Sequence, residues 1–98
     1  MTPRFVFLPE AQAELVEAGA WYAAQAPGLE LEFARAVDAI MAAIARFPDG
    51  FGLVEGDMRR AVLRRFPYQL IYFRDGDTIV IVSCWHHRRR PKHWRSPR

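Results

Sequence analysis

The segment "YQLIYFRDGDTIVIVSCWHH", residues 68–87, decides the fold of this 98-residue chain. Two runs rich in β-branched and aromatic residues flank an Asp75-Gly76 pair, which is a strong signal for a β-hairpin. Strict alternation in the second run leaves both of its faces largely apolar, so we expect a strand inside the sheet, covered on both sides. Its two predicted faces carry Val80, Val82 and Cys84, and Ile79, Ile81, Ser83 and Trp85.

Two further β-rich segments lie before and after a central region in which the apolar residues recur at helical spacing. "MRRAVLRRF", residues 58–66, precedes Pro67 and predicts a third antiparallel strand. "TPRFVFLP", residues 2–9, predicts a short strand that ends at Pro9. Proline lacks a backbone N–H but fits the first turn of a helix, so a helix is expected to begin there.

Two helices are predicted between these strands. In residues 9–28, apolar side chains recur at helical spacing until Pro27 and Gly28 end the pattern. The second helix carries its apolar face at Leu29, Phe33, Val37, Ile40, Ile44 and Phe47. The very short connection predicts an antiparallel helical hairpin. We therefore expect one α+β domain over residues 1–98, ordered β-α-α-β-β-β, with both helices on one face of a three-stranded antiparallel sheet that follows them.

Composition places the chain among cytoplasmic globular proteins. Apolar residues make up 51% of the sequence, which is enough for one modest core. The single cysteine excludes an internal disulfide, and we see neither a signal peptide nor a membrane span. We expect no membrane partner.

Charge divides the chain into two halves of opposite character. Residues 1–57 carry nine acidic and three basic side chains, whereas residues 58–98 carry two acidic and eleven basic ones. The second half is therefore expected to attract phosphate or an acidic protein. Arginine accounts for all of the basic residues except Lys92, and its planar guanidinium favours fixed pairing with such groups.

Several segments, in this order and with these gaps, resemble one protein family over nearly the whole chain. They are "PEAQAELVEAGAWYAAQAPGLELEF" (9–33), "IARFPDGF" (44–51), "MRRAVLRRFPYQLIYF" (58–73) and "HHRRRPKHW" (86–94). Together they resemble the RelE/ParE superfamily of toxins, and its ParE-like branch above all. The resemblance implies the toxin of a plasmid-stabilising type II toxin–antitoxin module. A ParD-like antitoxin with an acidic and apolar C-terminal segment would hold the toxin in a hetero-oligomer, which would reach operator DNA only through the antitoxin.

The resemblance leaves the activity open between two classes. RelE-like members cleave mRNA on the ribosome, and ParE-like members are associated with inhibition of DNA gyrase. For an RNase, the candidates are His86 and His87 as acid and base, with Arg60 and Arg64 on the phosphate. Tyr68, Tyr72 and Trp94 are candidates for stacking on a base. Because arginine stays protonated and the only lysine lies in the tail, we favour a binding inhibitor of gyrase; a non-toxic co-regulator that binds the antitoxin is a third possibility.

The basic residues of the second half are expected to form one exposed surface that contacts the target. Alternation along a strand allows Arg59 to share a side with Arg65, or Arg60 with Arg64. A solvated tail is the alternative for the C-terminal residues, but Trp94 favours a segment that packs on the sheet. The candidate target-binding residues are Arg59, Arg60, Arg64, Arg65, Arg88, Arg89, Arg90 and Trp94.

Antitoxin binding is predicted at aromatic and apolar side chains of the helices, with one arginine beside them. The candidates are Trp21, Tyr22, Leu31, Met41 and Arg65. The alternative is that these rings belong to the ordinary core. No cofactor is predicted, and no metal site either, since His86, His87 and His93 lack cysteine or carboxylate partners at ligand spacings.

Overall fold

A computed structural model describes residues 3–89 and 94. The elements in chain order are β1 (Arg4–Phe7), α1 (Pro9–Gln25), α2 (Leu29–Arg46), β2 (Gly52–Glu55), β3 (Met58–Val62), β4 (Tyr68–Asp75) and β5 (Thr78–His86). The strands form one sheet in the order β1-β5-β4-β3-β2, in which β1 runs parallel to β5 and the other pairs are antiparallel. The predicted α+β class and the helical hairpin are confirmed. The structure adds β2, a short and fully exposed edge strand.

The β4–β5 hairpin turns where the sequence predicts. Asp75 pairs with Thr78, which leaves Gly76 and Asp77 as a two-residue loop. Gly76 has a φ of 61°, a left-handed conformation that costs glycine little because it has no Cβ. Strand β5 lies between β1 and β4, so its predicted position inside the sheet is confirmed.

A β-bulge in β5 overturns the predicted grouping of its side chains. Ile71 of β4 pairs with Ser83 but the next residue, Tyr72, pairs with Ile81, so Val82 is an extra residue in β5. The prediction that Cys84 shares a face with Val80 and Val82 is wrong. Cys84 packs with Ile81 on the helix side of the sheet, and Val82 packs on the opposite side. One inserted residue shifts every later side chain of a period-two pattern.

Both faces of the sheet carry a core. On one side, α1 packs against β5 and α2 packs against β3, and the core between helices and sheet buries Phe33, Ile44 and Leu70. On the other side, Met58, Ile71, Phe73, Val82 and Trp94 form a second, smaller cluster. Within the described residues, neither helix combines the length and the apolar character that crossing a bilayer requires.

Phe47 is an exception to the predicted core face of the second helix. The helix ends at Arg46, and the Phe47 backbone, with φ of −136° and ψ of 68°, has left the helical path. Its ring is therefore exposed rather than buried. The other end of the same face, Leu29, packs against the helix-side core as predicted.

Candidate functional site

The predicted cationic residues do not form one surface. The Arg59 guanidinium donates a hydrogen bond of 2.7 Å to the carbonyl oxygen of Phe51 and so ties β3 to the loop before β2. Arg60 lines a depression on the sheet face away from the helices. Because β3 ends at Val62, Arg64 and Arg65 lie in the following turn, beside α2. The expectation of a single exposed cationic surface is therefore wrong.

Arg65 adopts an unusual backbone conformation in that turn. Its φ of 71° is left-handed, which a side chain with a Cβ disfavours. The guanidinium lies 3.0 Å from Oε1 of Glu32 on α2, and both side chains are exposed. An exposed ion pair of this kind contributes little stability, so it does not offset the backbone strain fully.

A cleft beside the C-terminal half of α1 collects predicted residues of several kinds. This α1 cleft has a volume of about 360 Å³ and is lined by Glu17, Trp21, Tyr22, Tyr68, His86, Arg88 and Arg89. The Trp21 ring stands edge-on to Tyr22, with 5.1 Å between the ring centroids. Sequence reasoning missed Glu17 as part of this site, although its spacing of four residues from Trp21 places both on one helix face.

His86 has a defined tautomer in the α1 cleft. Its Nδ1 accepts a hydrogen bond of 2.9 Å from the backbone N–H of Arg88, so the neutral ring carries its proton on Nε2. The ring stands edge-on to Tyr68 at 4.9 Å. Burial, followed by the charges of Arg88 and Arg89, lowers the pKa of His86. The ring therefore acts as a neutral hydrogen-bond donor near neutral pH.

The second depression lies on the sheet face away from the helices, and we call it the open-face depression. It has a volume of about 410 Å³ and is lined by Val54, Arg60, Val62, Gln69, Trp85, His87, Arg89 and Trp94. Trp94 is buried and stands edge-on to Trp85 at 5.9 Å, so this residue packs on the sheet as predicted. Of the candidates beyond β5, Arg90 and His93 lie outside the described residues.

Arg89 connects the two depressions. Its guanidinium carbon lies 5.2 Å from the centroid of Trp85, and one of its nitrogens lies 3.4 Å from Oε1 of Glu17. A cation over an indole face and beside a carboxylate is held by two weak attractions. Arg89, which was predicted to bind the target, is therefore partly engaged by groups of its own chain.

A third concavity runs between the outer faces of the two helices, and we call it the interhelix groove. It has a volume of about 410 Å³ and is lined by Phe7, Gln12, Leu15, Val16, Gly19, Glu30, Phe33, Ala34, Val37, Asp38 and Met41. Of the predicted antitoxin-binding residues, only Met41 lies in this groove. Leu31 is exposed on α2, whereas the Tyr22 ring is buried against Phe33 and Phe66.

The residues proposed for RNA cleavage are spread over three surfaces. His86 lies in the α1 cleft, His87 and Arg60 lie in the open-face depression, and Arg64 lies beside α2. His86 ends β5 and His87 begins the following turn, and the two line different depressions, which separates the two acid–base candidates. In the part of the chain that the structure describes, no three His, Cys, Asp or Glu side chains are placed to hold a metal ion.

Comparison with known proteins supplies the family. A search of curated proteins found no match. Among solved structures, a chain from the chromosomal ParDE TA system of P. aeruginosa matches with a TM-score of 0.74 and 17% sequence identity. The match covers 87% of this chain and 96% of the other, so the two share a fold. The family model described as "ParE toxin of type II toxin-antitoxin system, parDE" matches residues 5–91. The chain therefore belongs to the ParE toxin family of type II toxin–antitoxin systems.

Proposed function

We propose that this protein is a cytoplasmic toxin that inhibits DNA gyrase by binding to it and does not cleave RNA. The observation that supports this choice is the separation of His86, His87, Arg60 and Arg64 over three surfaces. General acid, general base and phosphate-binding groups must reach one reacting centre to cleave a phosphodiester. Scattered cations instead suit a protein that contacts a large partner at several points.

The target-binding residues that we propose are the cations of the open-face depression and the turn after β5. Arg60, Arg88 and His87 are exposed, and none of their side chains has an ion-pair partner among the described residues. Arg89 is close to them but is shared with Glu17. Free guanidinium groups can pair with carboxylates or phosphates of a gyrase–DNA complex in the bidentate manner that arginine allows. Arg59 supports β2 rather than the target.

A ParD-like antitoxin is proposed to neutralise the toxin by laying an amphipathic segment in the interhelix groove. Val16 is 63% exposed at this groove, and Met41 contributes a flexible apolar side chain. Arg35, Arg64 and Arg65 line another surface of α2, together with Glu32. The apolar part of the antitoxin would occupy the groove, and its acidic residues would pair with these arginines, in one toxin–antitoxin hetero-oligomer. The hetero-oligomer would contact operator DNA through the antitoxin.

A supercoiling assay with purified gyrase tests the proposed target. We expect the protein to inhibit supercoiling and to trap gyrase on cleaved DNA, and we expect Arg60→Gln and Arg88→Gln to inhibit several-fold less. Arg46→Gln, which removes an exposed arginine at the end of α2, is the matched control and should inhibit like the parent. Full supercoiling activity at a large excess of the protein would remove gyrase as the target.

Two cellular measurements separate the alternatives. Codon-linked cuts in mRNA, mapped by primer extension after induction and lost in a His86→Ala/His87→Ala double variant, would favour the RNase. Normal growth after induction without an antitoxin would favour a non-toxic co-regulator. We expect growth arrest with intact mRNA.

Antitoxin docking is tested by co-purification with the product of the neighbouring gene. Val16→Asp places a charge in the interhelix groove and should abolish the complex. Val62→Asp places the same charge on the opposite sheet face, at a residue that is 44% exposed, and should leave the complex intact. Equal retention of both variants would exclude the groove.

A further inference from the structure

Two buried tyrosines form the floor of the α1 cleft. Tyr22 is 7% exposed and Tyr68 is 9% exposed, and their rings pack with Phe33 and Phe66 in the helix-side core. Both residues also line the cleft. Neither hydroxyl makes a hydrogen bond within the described part of the chain. Both hydroxyls border the open cleft, so each is available to donate a hydrogen bond to a molecule bound there.

Further donors line the same cleft. His86 presents Nε2–H because its Nδ1 is held by the N–H of Arg88. Two arginines, Arg88 and Arg89, line the cleft with one carboxylate, that of Glu17, which lies 3.4 Å from Arg89. Two hydroxyls, one imidazole N–H and the side chain of Arg88 therefore line one cleft. The three terminal oxygens of a phosphate monoester accept hydrogen bonds over a wider range of directions than the two coplanar oxygens of a carboxylate, so a phosphate suits donors on several sides of the cleft better.

The wall of the cleft offers an aromatic surface. The Trp21 side chain is 57% exposed, although tryptophan is normally well buried. It is held edge-on to Tyr22, which fixes its orientation beside the donors. An exposed indole of this kind is a platform on which a planar ring can stack. The cleft volume of about 360 Å³ suits a ligand of the size of a mononucleotide.

We propose that the α1 cleft binds a nucleotide, with its phosphate at Tyr22, Tyr68, His86 and Arg88 and its base stacked on Trp21. The nucleotide site shares Arg88 with the surface proposed to bind gyrase, but AMP binding is measured on the free protein without gyrase, so either proposal can fail without the other. A free nucleotide and the 5′-phosphate end of a nucleic-acid strand share this chemistry. An acidic peptide is the competing occupant, and it lacks the planar ring that Trp21 would recognise.

Tryptophan resonances provide a direct test with the full chain. The sequence holds three tryptophans, so a ¹⁵N-labelled sample gives three indole N–H signals in an NMR spectrum. We expect AMP to shift the Trp21 signal and to leave those of Trp85 and Trp94 in place. Ribose 5-phosphate and inorganic phosphate lack the base, and adenosine lacks the phosphate, so each should bind at least about tenfold more weakly than AMP. A 5′-phosphorylated trinucleotide that binds more tightly than AMP identifies a strand end as the natural ligand, and the reverse order identifies a free nucleotide.

Variants connect the signal to the named groups. Tyr22→Phe and Tyr68→Phe keep the packed rings and remove one hydroxyl each, and Arg88→Gln changes an exposed residue; each should weaken AMP binding about tenfold, while circular dichroism shows an intact fold. Arg46→Gln is the matched control and should bind AMP like the parent. The site is overturned if adenosine binds as well as AMP, if Arg46→Gln weakens binding as much as Arg88→Gln, or if a glutamate-rich hexapeptide shifts the Trp21 signal at lower concentration than AMP.

Discussion

Oε1 of Glu14 lies 2.8 Å from Oγ of Ser83, so a carboxylate on α1 accepts a hydrogen bond from a fully buried serine on β5. The same oxygen accepts the backbone N–H of Cys84 at 2.9 Å. Strand β1 ends at Phe7, and the backbone N–H of Leu8 donates a hydrogen bond to the carbonyl oxygen of Ile81 on β5. After Ile81, β1 no longer pairs with this edge of β5. Glu14 therefore replaces a missing strand neighbour and satisfies backbone that would otherwise be buried without a partner.

Replacing Glu14 with alanine should lower the free energy of unfolding by about 2 kcal/mol, because a buried N–H and a buried hydroxyl lose a charged acceptor. Urea denaturation followed by circular dichroism measures this change. Glu17→Ala is the matched control on the same helix: its ion pair with Arg89 is exposed, so the loss should stay within about 0.5 kcal/mol. Equal losses in the two variants would contradict the structural role of Glu14.

Cys84 should resist thiol reagents in the folded protein. Burial, reinforced by the charge of Glu14, raises the pKa of the Cys84 thiol to about 12, so almost no thiolate exists at pH 8. We expect labelling by a disulfide reagent to be slow in buffer and fast in urea. A Leu53→Cys/Cys84→Ala variant presents a thiol on the exposed strand β2 and should react at once. Rapid labelling of the native parent would show that the core opens easily at β5.

The lowered pKa of His86 predicts a loss of stability in acid. Because the folded protein releases this proton more readily than the unfolded chain, the unfolded chain binds more protons as the pH falls below about 6.5. The free energy of unfolding should therefore be lower at pH 5.5 than at pH 7.5. His86→Asn keeps an acceptor for the Arg88 N–H without a titrating group, so its stability should fall less over the same interval. A parallel fall in both proteins would assign the effect to other groups.

Replacing Arg65 with glycine should stabilise the protein by about 1 kcal/mol, since glycine adopts a φ of 71° without strain. Its exposed ion pair with Glu32 is a small loss. Arg64→Gly, at the neighbouring position without a positive φ, is the control and should destabilise by about 0.5 kcal/mol or more. If Arg65→Gly also weakens antitoxin binding, the Arg65 side chain contributes to that interface. A stability loss in Arg65→Gly equal to that of Arg64→Gly would show that the conformation carries no strain.

The hydrophobic period predicted most of the fold. The helices, the hairpin at Gly76 and the internal position of β5 follow from spacing and turn residues. Strand β2 could not be predicted, because its four residues are all exposed and show no alternation between buried and solvent-facing positions. The bulge at Val82 could not be predicted either, because most residues around it are apolar and both registers are compatible with a strand buried on both faces.

The candidate site was harder to predict than the fold. Composition correctly identified basic residues in the second half, but it did not show that Arg59, Arg65 and Arg89 are engaged by their own chain. Those contacts join residues far apart in sequence. The α1 cleft arises in the same way, because β5 brings His86 beside Trp21 of the first helix. Contacts between residues that are distant in sequence depend on tertiary packing, which local sequence patterns do not encode.

The parallel pairing of β1 with β5 has a consequence for synthesis. Arg4 lies opposite Thr78, so β1 finds its neighbour only after the residues of β5 have emerged from the ribosome. A nascent chain that lacks residues 78–86 leaves β1, β4 and α1 without the strand on which all three pack. Until β5 has been synthesised, the native sheet cannot close, and none of the surfaces that border β5 exists.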